Sequence, residues 1–168
     1  MLRTRNSIAA CAIACLAFAM PALAQTKSTQ PRGQYLARIM DCTGCHTPGA
    51  LIGKPDQARY LAGGDIGFQI PGLGYFWPPN LTPDKETGLG AWSEDDIVRA
   101  VRTGSRPDGR MLAPAMPWHS YAALTDKDAR DLARYLKSMV PVRNAVPPLA
   151  GPDTTPSAPY LTVAMPKT

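Results

Sequence analysis

Apolar residues recur at helical spacing in three separate stretches of the chain, and irregular Gly- and Pro-rich segments join them. Over residues 33–42, Tyr35, Leu36, Ile39 and Met40 fall on one side while Arg32 and Arg38 face away. Gly33 in that stretch leaves room for a second helix to approach closely, because it has no side chain. The second pattern runs from Ser93 to Thr103. Ser93 is a good N-cap with Asp96 three residues on, a capping-box arrangement. Glu94, Asp95 and Asp96 suit the positive start of a helix, and Arg99 and Arg102 suit its negative end. Ile97, Val98, Ala100 and Val101 supply the apolar side, and Gly104 ends the run. The third pattern starts at the cap Thr125, with Asp128 at the third position, and reaches about Met139. Ala129, Leu132, Ala133, Leu136 and Met139 form its stripe, with Tyr135 beside it and Pro141 as the stop.

The segments between carry no comparable rhythm. Residues 47–74 are rich in Gly and Pro, with turns at Gly63-Gly64 and Pro71-Gly72, and read as a loop folded over something it encloses. Tyr75-Phe76-Trp77 follows, an aromatic group that suits either a ligand wall or a small core. Asn80 to Asp84 looks like a capped turn, and residues 105–123 form a Pro-containing loop. The expected fold class is therefore all-α, with helices and long loops packed around a common centre.

The two ends change the picture. Arg3 and Arg5, an uncharged apolar run from Ile8 to Met20 and Ala22-Leu23-Ala24 read as a secretory signal peptide over residues 1–24. The alternative is a retained anchor, but the apolar run is shorter than the ~20 residues a bilayer span needs. Residues 25–32 are expected to be a disordered polar lead, residues 33–142 the domain, and residues 143–168 a Pro-rich tail. Seven prolines fall within the last 28 residues, so the tail is extended or disordered, or strapped over the domain. Cys11 and Cys15 leave with the leader, so two of the four cysteines remain. Loss of Arg3 and Arg5 takes the formal charge from +5 to +3. Both signs are interspersed and no basic cluster with aromatics appears, so nothing points to nucleic acid. A mildly basic rim fits an acidic redox partner or a merely solvated surface.

The remaining cysteines sit in Cys42-Thr43-Gly44-Cys45-His46. Cys-x-x-Cys-His is the attachment signature of a c-type haem. Each thiol adds across one porphyrin vinyl group, and the spacing places both sulfurs at the same edge. The following histidine is carried under the ring as proximal iron ligand. A thioredoxin-like pair would want a βαβ setting, and a zinc site would want two further ligands nearby. Neither is in view. Attachment of this kind is made outside the bacterial cytoplasm, so leader and motif support each other and place the protein in the periplasm. For the sixth iron position the chain offers Met111, Met116 and His119, with a lysine as the remoter alternative. Met116 is the preferred one. It lies 70 residues after His46 in the apolar, Pro-stiffened run Leu112-Ala113-Pro114-Ala115-Met116-Pro117. Met111 sits in a more polar turn, and His119 would give bis-histidine ligation.

These residues, together with Pro79-Asn80-Leu81-Thr82-Pro83-Asp84, Thr87 to Trp92, Gly104 through Pro107-Asp108-Gly109-Arg110, and Tyr135-Leu136, resemble a class I cytochrome c domain. The resemblance is to the cytochrome subunits of membrane-bound alcohol and gluconate dehydrogenases, and it covers about residues 33–142. It implies first and last helices that cross, Met116 as distal ligand, and Trp92 and Asn80 as contacts of the haem propionates. Such subunits carry three domains and a membrane-anchoring tail, whereas this chain has one haem motif and no apolar span at its end. The expectation is a periplasmic carrier with one covalent haem c. It takes single electrons from a periplasmic or membrane-bound dehydrogenase and passes them to a respiratory oxidase or another cytochrome. It would not itself transform an organic substrate. The alternative is a haem enzyme or ligand-binding sensor with an open sixth site.

Overall fold

The structure, a computed structural model, describes residues 31–166. The expected signal peptide, residues 1–24, and residues 25–30 of the expected polar lead lie outside the described residues. The first helix, α1 (Arg32–Ile39), begins one residue before the expected domain boundary and is shorter than its apolar pattern. It stops because Asp41 turns left-handed at φ 53°. The Asp41 side chain then accepts from the Gly44 amide at 3.2 Å and caps a separate short helix, α2 (Cys42–His46). The Cys-x-x-Cys-His motif thus occupies its own turn of helix, separated from α1 by Met40 and Asp41. The buried face of α1 is also narrower than expected. Gly33, Leu36 and Ala37 point inward, while Ile39 remains 57% exposed and Tyr35 is exposed too.

Helix α3 (Glu94–Thr103) has both halves of its capping box. The Asp96 amide donates to Ser93 Oγ at 3.1 Å, and the Ser93 amide donates to Asp96 Oδ2 at 3.0 Å. Gly104 closes it in the left-handed region at φ 74°. A four-residue helix that the loop reading missed, α4 (Trp118–Tyr121), follows the segment bearing Met116. Helix α5 (Asp126–Ser138) is capped by Thr125 as expected.

The crossing of α1 and α5 closes the core. It is so close that a Cβ on Gly33 would stand 2.0 Å from the Asp131 carbonyl oxygen. Leu36, Ala37, Leu132, Ala133 and Leu136 pack there, joined by Leu61, Leu89, Ile97 and Cys42.

The expectation of an all-α chain is corrected by a small sheet. Strand β1 (Gly67–Ile70) pairs antiparallel with β2 (Gly74–Phe76) across a turn at Pro71-Gly72, with Phe68 opposite Phe76. Strand β3 (Tyr160–Leu161) adds on the other side of β1, parallel to it. Glycine-rich composition hid β1, and β3 is only two residues long. The partner that makes β3 a strand lies more than ninety positions away in the chain. The tail is strapped over the domain, the last of the arrangements expected for it. Among the described residues, no helix is long and apolar enough to cross a membrane.

Candidate functional site

Helix α2 forms one wall of a cavity of about 520 Å³, within the usual size range of ligand and cofactor sites. Cys42, Cys45 and His46 all line it, and so do Phe68 and Phe76 of the hairpin and Trp77 just after it. The aromatic group therefore divides. Phe76 and Trp77 face the cavity, whereas Tyr75 packs edge-on against Tyr160 with ring centroids 4.9 Å apart. Leu132 and Leu136 of α5, Ile97 and Val101 of α3, and Met116 close other sides.

His46 is buried, and its Nδ1 lies 2.7 Å from the Pro79 carbonyl oxygen. A carbonyl only accepts, so Nδ1 carries the proton and Nε2 is the lone-pair nitrogen. Burial pushes the imidazole's pKa down, partly offset by that hydrogen bond. The ring is thus held neutral and in one tautomer, the state in which imidazole binds a metal.

Cys42 and Cys45 form no disulfide. Burial pushes the Cys42 thiol up to about 11, and burial followed by the nearby Asp41 raises Cys45 as well. A redox-active Cys-x-x-Cys pair needs a depressed thiol, so the environment opposes a thioredoxin-like role. Among the described residues no cluster of three His, Cys, Asp or Glu could hold a metal ion, which leaves the zinc reading without ligands.

The three candidates for the far side separate cleanly. Met116 lines the cavity and is half-buried. Met111 is 49% exposed and bridges to Ser105, away from the cavity wall. His119 is exposed on α4 and stacks on Trp118. The Met116 segment is tied to the opposite side of the site. The Tyr121 hydroxyl donates to the Met40 carbonyl at 2.6 Å, and burial pushes that phenol up to about 12.

Trp92 also lines the cavity, with the Arg106 guanidinium 5.2 Å from its ring centre. Asn80 lines it but is fully engaged elsewhere. Its amide donates to Thr87 Oγ1 at 2.9 Å and to the Val142 carbonyl at 2.7 Å, and its oxygen accepts twice from Thr82. Its present work is to hold the segment after Pro79, and with it the carbonyl that orients His46.

Several residues at the site were not legible in the chain. Arg106 and Arg110 both reach the cavity, sharing the single carboxylate of Asp108. Burial, and after it the neighbouring Arg106, push Arg110 below its ordinary range, against the opposing pull of Asp108. A pair of arginines two residues either side of an Asp looks like a solvated turn until the fold places it against an apolar cavity. Val146, Pro147, Pro148 and Leu149 of the tail are also lining residues.

Lys137 had no assigned role either. Its ammonium donates to the carbonyls of Leu89, Gly90 and Trp92 at 3.2, 3.0 and 2.8 Å, using all three donors to fix the turn that carries Trp92. Lys137→Met keeps the stem and removes those bonds. We expect it to cost about 1.5–3 kcal/mol, the worth of a charge-assisted bond, because the freed carbonyls regain water as the turn loosens. A denaturant midpoint unchanged from the parent would contradict that role.

The donor set fits a covalently held porphyrin. Two unpaired thiols and a tautomer-fixed imidazole share one short helix, apolar and aromatic side chains line the body of the cavity, and two guanidiniums are available for carboxylates.

A family model described as cytochrome c matches residues 31–140. The chain is 40% identical over 144 residues to a gluconate 2-dehydrogenase cytochrome c subunit of Pantoea cypripedii, covering 83% of this chain and 30% of the relative. It is 39% identical over 124 residues to the cytochrome c subunit of a quinone alcohol dehydrogenase of Gluconobacter oxydans, covering 72% and 24%. A diheme c-type cytochrome of Cereibacter sphaeroides is 31% identical over 118 residues, covering 70% and 38%. The chain thus spans 24% to 38% of the length of these curated relatives. The family match across most of the chain, meeting a cavity built around Cys42, Cys45 and His46, shows that this chain belongs to the cytochrome c family of haem-binding electron-transfer proteins.

Proposed function

We propose that this chain is a periplasmic class I cytochrome c with one haem, ligated by His46 and Met116, that carries single electrons from a dehydrogenase towards the respiratory chain. One observation carries the ligand assignment. Of Met111, Met116 and His119, Met116 alone lines the cavity that Cys42, Cys45 and His46 share. Cys42 and Cys45 would hold the porphyrin through thioethers, which fixes its edge against α2. Burial disfavours the charged His46 ring, and the Pro79 carbonyl fixes its tautomer by accepting from Nδ1, which leaves Nε2 available to iron. Met116 offers a soft thioether that favours the ferrous state. When bound, haem supplies the one-electron ferric–ferrous couple, and the protein's part is to position it and tune its potential.

Arg106 and Arg110 would receive the haem carboxylates, with Trp92 beside them. Asn80 acts one step back, by holding the Pro79 segment. The periplasmic location rests on the leader sequence and on where thioether attachment is made. The donor is a periplasmic or membrane-bound dehydrogenase, a reading supported by relatives named as cytochrome subunits of gluconate and alcohol dehydrogenases. The acceptor is a respiratory oxidase or another cytochrome.

The test is a set of optical spectra of the oxidised and reduced protein, with carbon monoxide added to the reduced form. The expected result is a low-spin c-type spectrum with a methionine-to-ferric-iron charge-transfer band and no response to carbon monoxide. A high-spin spectrum that shifts with carbon monoxide would remove Met116 as a standing ligand and favour an open-site enzyme or sensor.

A further inference from the structure

The family model stops at residue 140, yet the chain beyond it is built into the cavity. After α5 the chain is pinned at both ends of a short span. At the near end, Asn80 Nδ2 donates to the Val142 carbonyl at 2.7 Å, the Asn144 amide donates to Thr87 Oγ1 at 3.1 Å, and Asn144 Nδ2 donates to the Ala62 carbonyl at 2.8 Å. At the far end, Ala150 and Tyr75 exchange both backbone bonds, at 2.8 and 3.1 Å. Between the two anchors run Val146, Pro147, Pro148 and Leu149, all four of which line the cavity.

The body of the domain is cut away to receive this span. A Cβ on Gly63 would stand 2.4 Å from a Val146 methyl, and a Cβ on Gly74 would stand 2.1 Å from the Ala150 carbonyl oxygen. Both glycines also have positive φ, 106° and 115°, where other residues are strained. Beyond Ala150 the chain continues to be held. Pro159 accepts from the Gly67 amide at 2.9 Å and from the Trp77 indole at 3.2 Å, and β3 then pairs with β1.

We infer that residues 146–149 are a water-excluding wall of the haem site, so that the strap outside the family domain sets the reduction potential. This rests on the haem reading above. The physical argument is one of charge. Ferric haem carries one more positive charge than ferrous haem, and an apolar wall that displaces water penalises the more charged state. Burial is one of the levers by which a protein raises a haem potential. Two prolines in the span limit the conformations that the wall can take, so it closes with little entropy lost. Four apolar side chains with no ionisable group among them suit a dielectric wall and supply neither ligand nor proton.

The test uses the full-length, haem-loaded protein. Leu149→Ser and the pair Val146→Ser with Leu149→Ser put neutral hydroxyls in the wall without adding charge. Leu149 is 46% exposed, so the single variant does not threaten folding. Val163→Ser, at a residue 76% exposed beyond β3, is the control. Haem stoichiometry and the low-spin spectrum are read first, and then the potential.

The expected result is a lowered potential in the single variant and a lower one in the double. The single variant should change the ferrous-to-ferric ratio at fixed poise by about threefold, or about 28 mV at roughly 59 mV per decade. The control should match the parent. Low-spin, haem-loaded variants with the parent potential would overturn the wall and leave the haem reading intact. Absence of covalent haem in the parent protein would overturn both.

Discussion

Replacing Met116 with alanine should leave the haem covalently attached, lower its potential and open the iron to carbon monoxide. In the proposed site attachment would depend on Cys42 and Cys45 and the proximal bond on His46, all of them on α2 and 70 or more residues before the substituted position. The thioether is a soft donor that favours ferrous iron, so its loss favours the ferric state. Axial ligands move haem potentials over a range of about 0.8 V, and loss of one should account for a sizeable part of it. Neither rival is placed to substitute. Met111 is tied to Ser105 by a backbone bridge, and His119 is exposed on α4. The measurement is a reduced spectrum with and without carbon monoxide, followed by a potentiometric titration. An unchanged spectrum and potential in Met116→Ala would remove it from the iron.

Gly33→Ala should be the most damaging single-methyl change in the helical core. In an isolated helix the same substitution would stabilise by roughly 1 kcal/mol, because alanine is the better helix former. Here the new Cβ would meet the Asp131 carbonyl oxygen at 2.0 Å and the Tyr135 Cβ at 2.6 Å. Non-bonded carbon atoms rest at roughly 3.5–4.0 Å, so α1 and α5 must part by more than an ångström. Both obstacles are backbone or near-backbone atoms of α5, and neither can swing aside. Parting the helices loosens Leu36, Ala37, Leu132, Ala133 and Leu136 together. Overpacking alone costs about 1–3 kcal/mol, and the shared loss of core contact should take the total to roughly 3 kcal/mol or more. Strain therefore outweighs propensity. Guanidinium unfolding of haem-loaded Gly33→Ala checks it, and a midpoint at or above the parent would show that the crossing can relax.

The helices and the site were legible to different degrees. Capping residues spoke clearly. Ser93 with Asp96, and Thr125 with Asp128, cap α3 and α5 as their spacing implied, because a cap is a bond between residues three apart. The end of α1 did not speak, because an aspartate in the left-handed region has no strong sequence signature. Ile39 and Tyr35 were expected to be buried and are exposed, since the helix packs on its small residues Gly33 and Ala37 and not on its largest ones.

The sequence by itself determined the local chemistry: the Cys42, Cys45 and His46 motif, the helix caps, the Pro-stiffened loop of Met116 and the family they signal. These depend on bonds and spacings within a few residues, which are the same in any fold that forms the segment. The tertiary structure decided everything that joins distant parts of the chain. It brought Met116, and neither Met111 nor His119, to the cavity, placed Arg106 and Arg110 there too, set Lys137 under the turn of Trp92, and turned a Pro-rich tail into cavity lining and a strand. Strand β3 has no periodicity to read, and its bonds are to a partner that composition alone reads as loop. Contacts of that kind are fixed only when the core closes and every buried amide and carbonyl must find its partner.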